Sequence, residues 1–157
     1  MDQKPLSLWL RVIVIGCALC GVALFGFILP GFLAGLAAEH SGFPHRAWTA
    51  FMWVLAVPCY GVLVCVWRVA GRIGMNRSFS HENARALRAV ALLAGLDAAL
   101  LLAGNVVFWL MGKSLSVLAL ASAFTCFAGL AISVGAACLS HLVLKAARLQ
   151  EDNDLTI

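Results

Sequence analysis

The chain has 157 residues, of which 63% are hydrophobic and only 11% are charged, and its formal net charge is +4. Soluble globular domains are about half apolar and about a quarter charged, so this composition leaves too few polar residues to cover a water-facing surface. It therefore excludes an ordinary soluble domain and favours lipid-facing helices. The positive charge does not indicate nucleic-acid binding, because the basic residues stand at the ends of apolar runs, where membrane topology places them.

The first part of the chain contains two long apolar runs. After a short polar start, the chain is uncharged from Val12 to Ala38, which exceeds the apolar core of about 7–15 residues in a cleavable signal peptide. We therefore predict a retained first helix at residues 10–36, with a kink or an end near Pro30. A polar loop follows, and a run of about the 20 residues needed to cross a bilayer predicts a second helix at 47–68.

A basic segment at residues 68–88 comes next and holds five of the eleven Lys and Arg residues. Ser80 is suited to cap a helix, because its hydroxyl can accept a hydrogen bond from the backbone amide of Glu82 or Asn83. Glu82 also complements the dipole of a helix that begins there. The remaining predicted elements are a third helix at 81–111, a tight turn at 112–114, a fourth helix at 115–146 and a polar tail at 147–157.

The distribution of basic residues predicts the topology. If both termini and the basic segment share one side, that side carries nine Lys and Arg residues, and the other carries only Arg46 and Lys113. Cytoplasmic loops are enriched in Lys and Arg. We therefore predict an all-α polytopic membrane protein, a single domain over 1–157, with four transmembrane helices and both termini inside (N-in/C-in). The tryptophans are predicted at the interfaces, with Trp9 and Trp67 at the inner one and Trp48, Trp53 and Trp109 at the outer one.

The third helix is predicted to enter the membrane near Ala89, and Asp97 is the only acidic residue inside a predicted membrane-embedded segment. It follows Arg88 by roughly 13 Å of helix, which places it near the middle of the bilayer. A carboxyl group at this depth costs about 2.5 kcal/mol or more and marks a functional site by default. Asn105 lies two turns further on, on a similar side of the helix. Two interpretations stay open: a proton or cation site, or a neutral Asp97 that hydrogen-bonds to Ser or Thr of the fourth helix.

The fourth helix carries small residues at alternating spacings of four and three, a pattern that predicts close helix packing. These residues are Ser122, Cys126, Gly129, Ser133, Ala136 and Ser140.

Other candidate chemistry is weak. All six cysteines fall inside apolar runs, which favours a buried structural role over disulfides or metal ligation. Glu39, His40 and His45 of the first loop lack a fourth ligand, so we predict no metal and no cofactor. The sequence contains no recognisable catalytic motif, and an enzyme is not predicted.

Two parts of the sequence resemble a known family. The run from Asn76 to Arg88 (N-R-S-F-S-x-x-N-x-x-x-L-R) and the ending from Glu151 to Ile157 are similar to those of small bacterial membrane proteins known as domain-of-unknown-function family 2975. The ending departs from the family's E-N-D-L-T-I/V by an inserted Asp152. The resemblance implies four helices, a bacterial inner membrane and no established activity. Members accompany small helix-turn-helix regulators, so it also implies a regulatory partner.

Two functions with a defined site remain open, beside a lipid- or stress-responsive structural module that has no discrete site. One is a non-enzymatic regulatory module that contacts a cytoplasmic protein through the basic segment and the tail, without binding nucleic acid itself. Its arginines could equally bind anionic lipid headgroups, at about 1 kcal/mol per charge. The other is a small carrier or channel that uses Asp97 and forms a homo-oligomer, because one four-helix unit encloses little. The candidate residues for partner or lipid contact are Arg68, Arg72, Arg77, Phe79, Ser80, Asn83, Arg85 and Arg88.

Overall fold

The computed structural model describes residues 4–73 and 80–154, which form long helices joined by short loops. The elements are α1 (Lys4–Ala23), a π turn (Leu24–Ile28), α2 (Leu29–Glu39), α3 (His45–Ile73), α4 (His81–Leu110) and α5 (Ser116–Asp154). Four helical segments are long and apolar enough to cross a membrane, and we number them as the first to fourth spans: Ser7–Glu39, His45–Ile73, His81–Leu110 and Ser116–Gln150. This architecture confirms the predicted all-α fold with four transmembrane helices.

Two helices continue further than the sequence predicted. The helix of the second span reaches Ile73, past the predicted end at residue 68, and α5 reaches Asp154 instead of ending near residue 146. Residues 146–152 (A-A-R-L-Q-E-D) are mostly strong helix formers, and no proline or glycine interrupts them. The polar residues after position 146 therefore continue α5 and do not mark its end.

Pro30 does not end the first span. A proline inside a helix lacks the backbone N–H, and its ring crowds the carbonyl four residues earlier, which here belongs to Gly26. Gly26 lies in the π turn Leu24–Ile28, whose wider backbone relieves that crowding. The helix therefore continues past Pro30 and ends at Glu39.

The four spans pack side by side in chain order. Among the described residues, Cα atoms within 8 Å of each other join only consecutive spans, so the backbones of the first and fourth spans do not meet. Large apolar side chains cover the outer surface; Phe27 is 76% exposed and Phe127 is 75% exposed. Such continuous apolar exposure is unusual for a water-facing surface and fits contact with lipid.

The third and fourth spans are joined along the small residues that the sequence singled out. Three side chains of the fourth span donate to backbone carbonyls of the third: Ser140 to Ala84 (2.7 Å), Ser133 to Ala91 (2.7 Å) and Cys126 to Ala98 (3.2 Å). Donors and acceptors both recur every seven residues, so the two antiparallel helices meet in register. A Cβ at Gly129 would lie 3.3 Å from the Cβ of Ala98, which shows how closely the backbones approach. The predicted packing surface is confirmed at four of its six residues, Cys126, Gly129, Ser133 and Ser140.

We expect Ser133→Ala to lower the free energy of unfolding by about 0.6 kcal/mol, the average for side-chain hydrogen bonds between membrane helices. Ser122→Ala is the matched control, because the Ser122 hydroxyl donates to Ala119 of its own helix (2.9 Å). Unfolding in mixed micelles with a rising fraction of SDS measures both variants. An equal loss in both would contradict the interhelical assignment of the Ser133 bond.

A cluster of aromatic residues around the buried Trp48 packs the spans together at the loop end of the protein, which we define as the ends of the spans joined by residues 40–44 and 111–115. Trp48 is 0% exposed and stacks on Phe108, with ring centroids 4.2 Å apart. Phe51 meets both rings edge-on. Trp48 is therefore a core residue, and its predicted place at the lipid interface is wrong. The other four tryptophans are exposed: Trp9 (66%), Trp53 (55%), Trp67 (40%) and Trp109 (71%).

The turn after the third span fastens the two loops to each other. Gly112 adopts a positive φ of 66°, its N–H donates to Trp109 (2.9 Å), and the N–H of Lys113 donates to Phe108 (2.8 Å). This pair of bonds is a Schellman motif, which requires the left-handed conformation that glycine adopts most readily. The Lys113 ammonium donates to the carbonyl of Gly42 in the first loop (3.4 Å). The predicted turn at 112–114 is confirmed.

Candidate functional site

A cleft lies among the spans, and among the described residues the first and fourth spans, which both line it, have no Cα atoms within 8 Å of each other. Its volume is about 340 Å³, and all four spans contribute to its lining. Most of the lining is aliphatic. The polar or ionisable side chains in the lining are Cys17, Cys59, Tyr60, Asp97 and Thr125.

Asp97 and Cys59 meet in this cleft, each near the middle of its span. The Cys59 thiol donates to Oδ2 of Asp97 over 3.1 Å. The hydroxyls of Thr125 and Ser133 on the fourth span donate to backbone carbonyls instead. The partner of Asp97 is therefore a thiol of the second span, and the predicted hydroxyl partner on the fourth helix is wrong.

The other carboxyl oxygen of Asp97 is left without a partner. Oδ1 is buried and accepts no hydrogen bond from any residue in the described part of the chain. A buried polar atom without a partner costs about 1–3 kcal/mol. The unpaired oxygen of Asp97 therefore lowers the stability of the protein. An intramembrane carboxyl group with such a cost is a candidate for function.

Asn105 does not share this site. Its amide Nδ2 donates to the carbonyl of Leu101 in its own helix (2.9 Å), and it is not among the residues that line the cleft. Asn105 lies two helical turns from Asp97. Although both residues are on a similar side of the helix, this distance keeps their polar groups apart. The structure leaves Asp97 and Asn105 as separate polar positions.

Tyr60 links the second span to the first next to the cleft. Its hydroxyl donates to the carbonyl of Ala18 over 3.2 Å. A Cβ at Gly21 would lie 2.9 Å from that hydroxyl oxygen, so the glycine makes room for it. Neither Cys59 nor Tyr60 was predicted from the sequence as a site residue. The available signal was the run Pro58-Cys59-Tyr60, which places a proline and the chain's single tyrosine in the middle of an apolar span.

The basic end, meaning the ends of the spans next to residues 68–88, contains most of the predicted contact residues. Ser80 caps the third span, since its hydroxyl accepts from the backbone N–H of Asn83 (3.2 Å), which confirms the predicted cap. Arg72 forms an ion pair with Glu82, with 3.1 Å between Nε and Oε2. The predicted contact residues whose side chains are exposed are Arg68, Arg85 and Arg88.

Asn83 does not belong to this exposed surface. It is only 2% exposed, so the predicted contact of its side chain with a partner or lipid is wrong. The neighbouring Ala84 is 4% exposed and accepts the hydrogen bond of Ser140, so the fourth span covers the start of this helix. Two further predicted contact residues, Arg77 and Phe79, lie outside the described residues.

The described residues offer little for metal or redox chemistry. Within 4–73 and 80–154, no three His, Cys, Asp or Glu side chains are grouped to hold a metal ion, and the six cysteines are free thiols. The polar chemistry available in the cleft is that of the Asp97 carboxyl group, two cysteine thiols and two hydroxyl groups. A carboxyl group in an apolar cleft can take up and release a proton or accept a single cation.

We expect Asp97→Leu to raise the free energy of unfolding by about 1–2 kcal/mol, because it removes a buried carboxyl whose hydrogen bonding is incomplete. Ala99→Leu is the matched control, since Ala99 is exposed on the same helix and the change only adds a lipid-facing side chain. Unfolding in SDS-containing micelles measures both. Destabilisation by Asp97→Leu would show that the carboxyl is needed to hold the spans together.

Four apolar helical spans that pack in chain order define a multi-pass integral membrane protein. The family model described as "Protein of unknown function (DUF2975)" matches residues 2–157, so the chain belongs to this family, as its sequence resemblance indicated. It is also similar to "Uncharacterized membrane protein YoaS" of Bacillus subtilis (strain 168), with 28% identity over 161 residues, which cover 96% of this chain and 97% of that protein. No solved structure matches the chain.

Proposed function

We propose that this integral membrane protein is a non-enzymatic interaction module that binds a regulatory protein at its basic end. The observation that carries the proposal is the length of α5. Its 39 residues extend about 58 Å at 1.5 Å per residue, whereas the hydrocarbon core of a bilayer is about 30 Å thick. Because α5 begins beside the turn of the loop end, its surplus length projects from the membrane at the basic end.

The projecting part of α5 has the surface of a docking helix. Leu149 is 62% exposed, and the side chains of Arg148, Gln150 and Asp152 around it are exposed as well. An apolar side chain on a polar helix outside the bilayer has no lipid to contact, and helical anchors of this kind are buried when a partner binds. The surface therefore suits a folded protein partner.

The third span adds positive charge next to this helix. The exposed Arg85 and Arg88 follow Ala84, whose carbonyl accepts the hydrogen bond of Ser140 on α5. The excess of basic residues at this end supports a cytoplasmic location. Membership of the family supports a bacterial inner membrane, and a small helix-turn-helix regulator is the class of partner that we propose.

Co-expression with the small regulator encoded nearest to this chain tests the proposal. We expect the double variant Arg85→Glu, Leu149→Asp to retain at least tenfold less regulator during affinity purification than the wild type. Both positions are exposed, so their replacement leaves the packing of the spans intact. Arg46→Glu, an exposed charge reversal at the loop end, is the matched control and should retain the regulator fully. Equal retention by wild type and double variant would refute docking at the basic end.

A second candidate function is transport, favoured by the position of Asp97 in a cleft that all four spans line. The carboxyl group would exchange a proton or hold one cation during passage. In one copy of the chain, the described backbones of the first and fourth spans, which both line the cleft, do not meet, so a carrier would act as a homo-oligomer that closes the cleft.

Reconstituted vesicles with an internal pH-sensitive dye test this candidate. A potassium diffusion potential drives protons inward, and the wild type should acidify the lumen at least tenfold faster than Asp97→Asn. Asp97→Glu keeps the carboxyl group and is expected to retain part of the flux. Identical proton flux in the wild type and in Asp97→Asn would refute proton transport through this site.

A further inference from the structure

Three arginines from two spans line one shallow hollow at the basic end. The hollow has a volume of about 450 Å³ and is lined by Arg11, Arg68, Gly71 and Arg72. Arg11 comes from the start of the first span, and the other residues come from the last turns of the second span. Residues that lie far apart in the sequence thus bring three guanidinium groups to one place.

Contacts with neighbouring residues hold two of these arginines in position. The guanidinium of Arg11 lies over the ring of Trp67, 5.3 Å from its centroid, at a distance typical of a cation–π interaction. A Cβ at Gly71 would lie 3.1 Å from Nη2 of Arg11, so the absence of a side chain there lets the guanidinium approach the second span. Arg72 is held from the other side by Glu82.

Within the described residues, an acidic side chain pairs with only one of the three arginines of the hollow. Glu82 pairs with Arg72, but within the described residues neither Arg11 nor Arg68 lies within ion-pair distance of an acidic side chain. Like charges brought together in this way favour an anion between them. Guanidinium forks match the oxygen atoms of a phosphate group, to which each can donate two parallel hydrogen bonds.

We propose that this hollow is a binding site for a phosphate group, with Arg11, Arg68 and Arg72 as its ligands. Arg11 and Arg68 border the apolar parts of the first and second spans, which is the depth of lipid headgroups. The phosphate is carried either by an anionic lipid, such as phosphatidylglycerol, or by a soluble phosphate compound. The site is separate from the docking surface proposed above, which lies on the third and fourth spans.

Two measurements on the full chain in neutral detergent test the site and separate the two sources. Native mass spectrometry counts bound phosphatidylglycerol and, as a zwitterionic reference, phosphatidylcholine. Isothermal titration calorimetry measures binding of inorganic phosphate to the lipid-free protein. If a lipid is the source, phosphatidylglycerol binds and 10 mM inorganic phosphate does not displace it. If the source is soluble, inorganic phosphate binds without lipid and displaces phosphatidylglycerol. Binding of neither probe would overturn the proposal.

Variants show whether the bound probe occupies this hollow. Arg11→Gln and Arg68→Gln should each weaken binding about fivefold or more, the loss expected for one arginine at a membrane surface. Arg68→Lys keeps the charge but loses the fork, and it should still weaken binding. Lys145→Gln removes one exposed charge at the same end but outside the hollow, and it should change affinity less than twofold. An equal loss in Lys145→Gln, or full affinity in Arg68→Lys and Arg68→Gln, would contradict a specific site. It would mean that the probe binds through the general positive charge of the surface.

Discussion

Trp48→Ala is expected to lower the free energy of unfolding by about 3–5 kcal/mol, the largest effect of any single replacement considered for this chain. Trp48 has no exposed surface, and its ring stacks on Phe108 while Phe51 packs against its edge. Truncation removes these contacts and leaves a cavity among residues of all four spans, because Leu33 of the first span and Leu118 of the fourth belong to the same cluster. It also removes the hydrogen bond from the indole Nε1 to the carbonyl of Lys113 (3.3 Å).

Trp53→Ala is the matched control for this prediction. Trp53 lies on the same helix and is 55% exposed, so its truncation removes contacts with lipid or detergent and little protein packing. Unfolding of both variants in SDS-containing micelles, monitored by far-UV circular dichroism, gives the two losses. If Trp53→Ala costs as much as Trp48→Ala, the aromatic cluster does not hold the loop end together.

The local features of this fold could be read from the sequence because neighbouring residues determine them. Apolar runs of sufficient length specify the spans. The hydroxyl of Ser80 needs only a backbone amide three residues away to cap a helix. The small residues of the fourth span identify its packing face, because their spacing repeats with the turns of the helix. These predictions required no knowledge of which spans are neighbours.

The features that could not be predicted from the sequence depend on which spans are neighbours. Whether Trp48 faces lipid or protein is decided by Phe108 on another span, and nothing near Trp48 in the sequence indicates it. Asp97 was recognised as a polar residue in a span, but its partner could be named only once the second span was placed beside the third. Arg11 was one of the nine basic residues that predicted the topology, and its approach to Gly71 is not visible from either residue alone.

Replacing Asp97 is expected to change stability and function in opposite directions, whereas replacing a residue of the aromatic cluster is expected only to lower stability. The side chains of the cluster at the loop end pack against one another, so replacing any of them should only destabilise the protein. The carboxyl of Asp97 accepts one weak bond from a thiol and leaves Oδ1 unpaired within the described residues. A replacement that stabilises the fold and abolishes an activity would be the signature of a residue retained for its chemistry.

Gly104→Ala is expected to destabilise the protein by about 3 kcal/mol, at the upper end of the cost of overpacking. A Cβ at this position would overlap the ring of Phe51, with Cε2 and Cε1 only 2.6 and 2.7 Å away. The ring cannot move aside easily, because Trp48 and Phe108 pack against it. The prediction opposes the general preference for alanine over glycine in helices, which is worth about 1 kcal/mol in the other direction.

Gly135→Ala is the control for this prediction, since nothing lies within 4 Å of a Cβ at Gly135, and it should be neutral or slightly stabilising. The identity of the clashing group is tested by adding Phe51→Leu to Gly104→Ala. Because the smaller side chain removes the overlap, the double variant should lose less stability than the sum of the two single variants. Strict additivity in this cycle would mean that Gly104 is required for a reason other than the close approach of the second and third spans at Phe51.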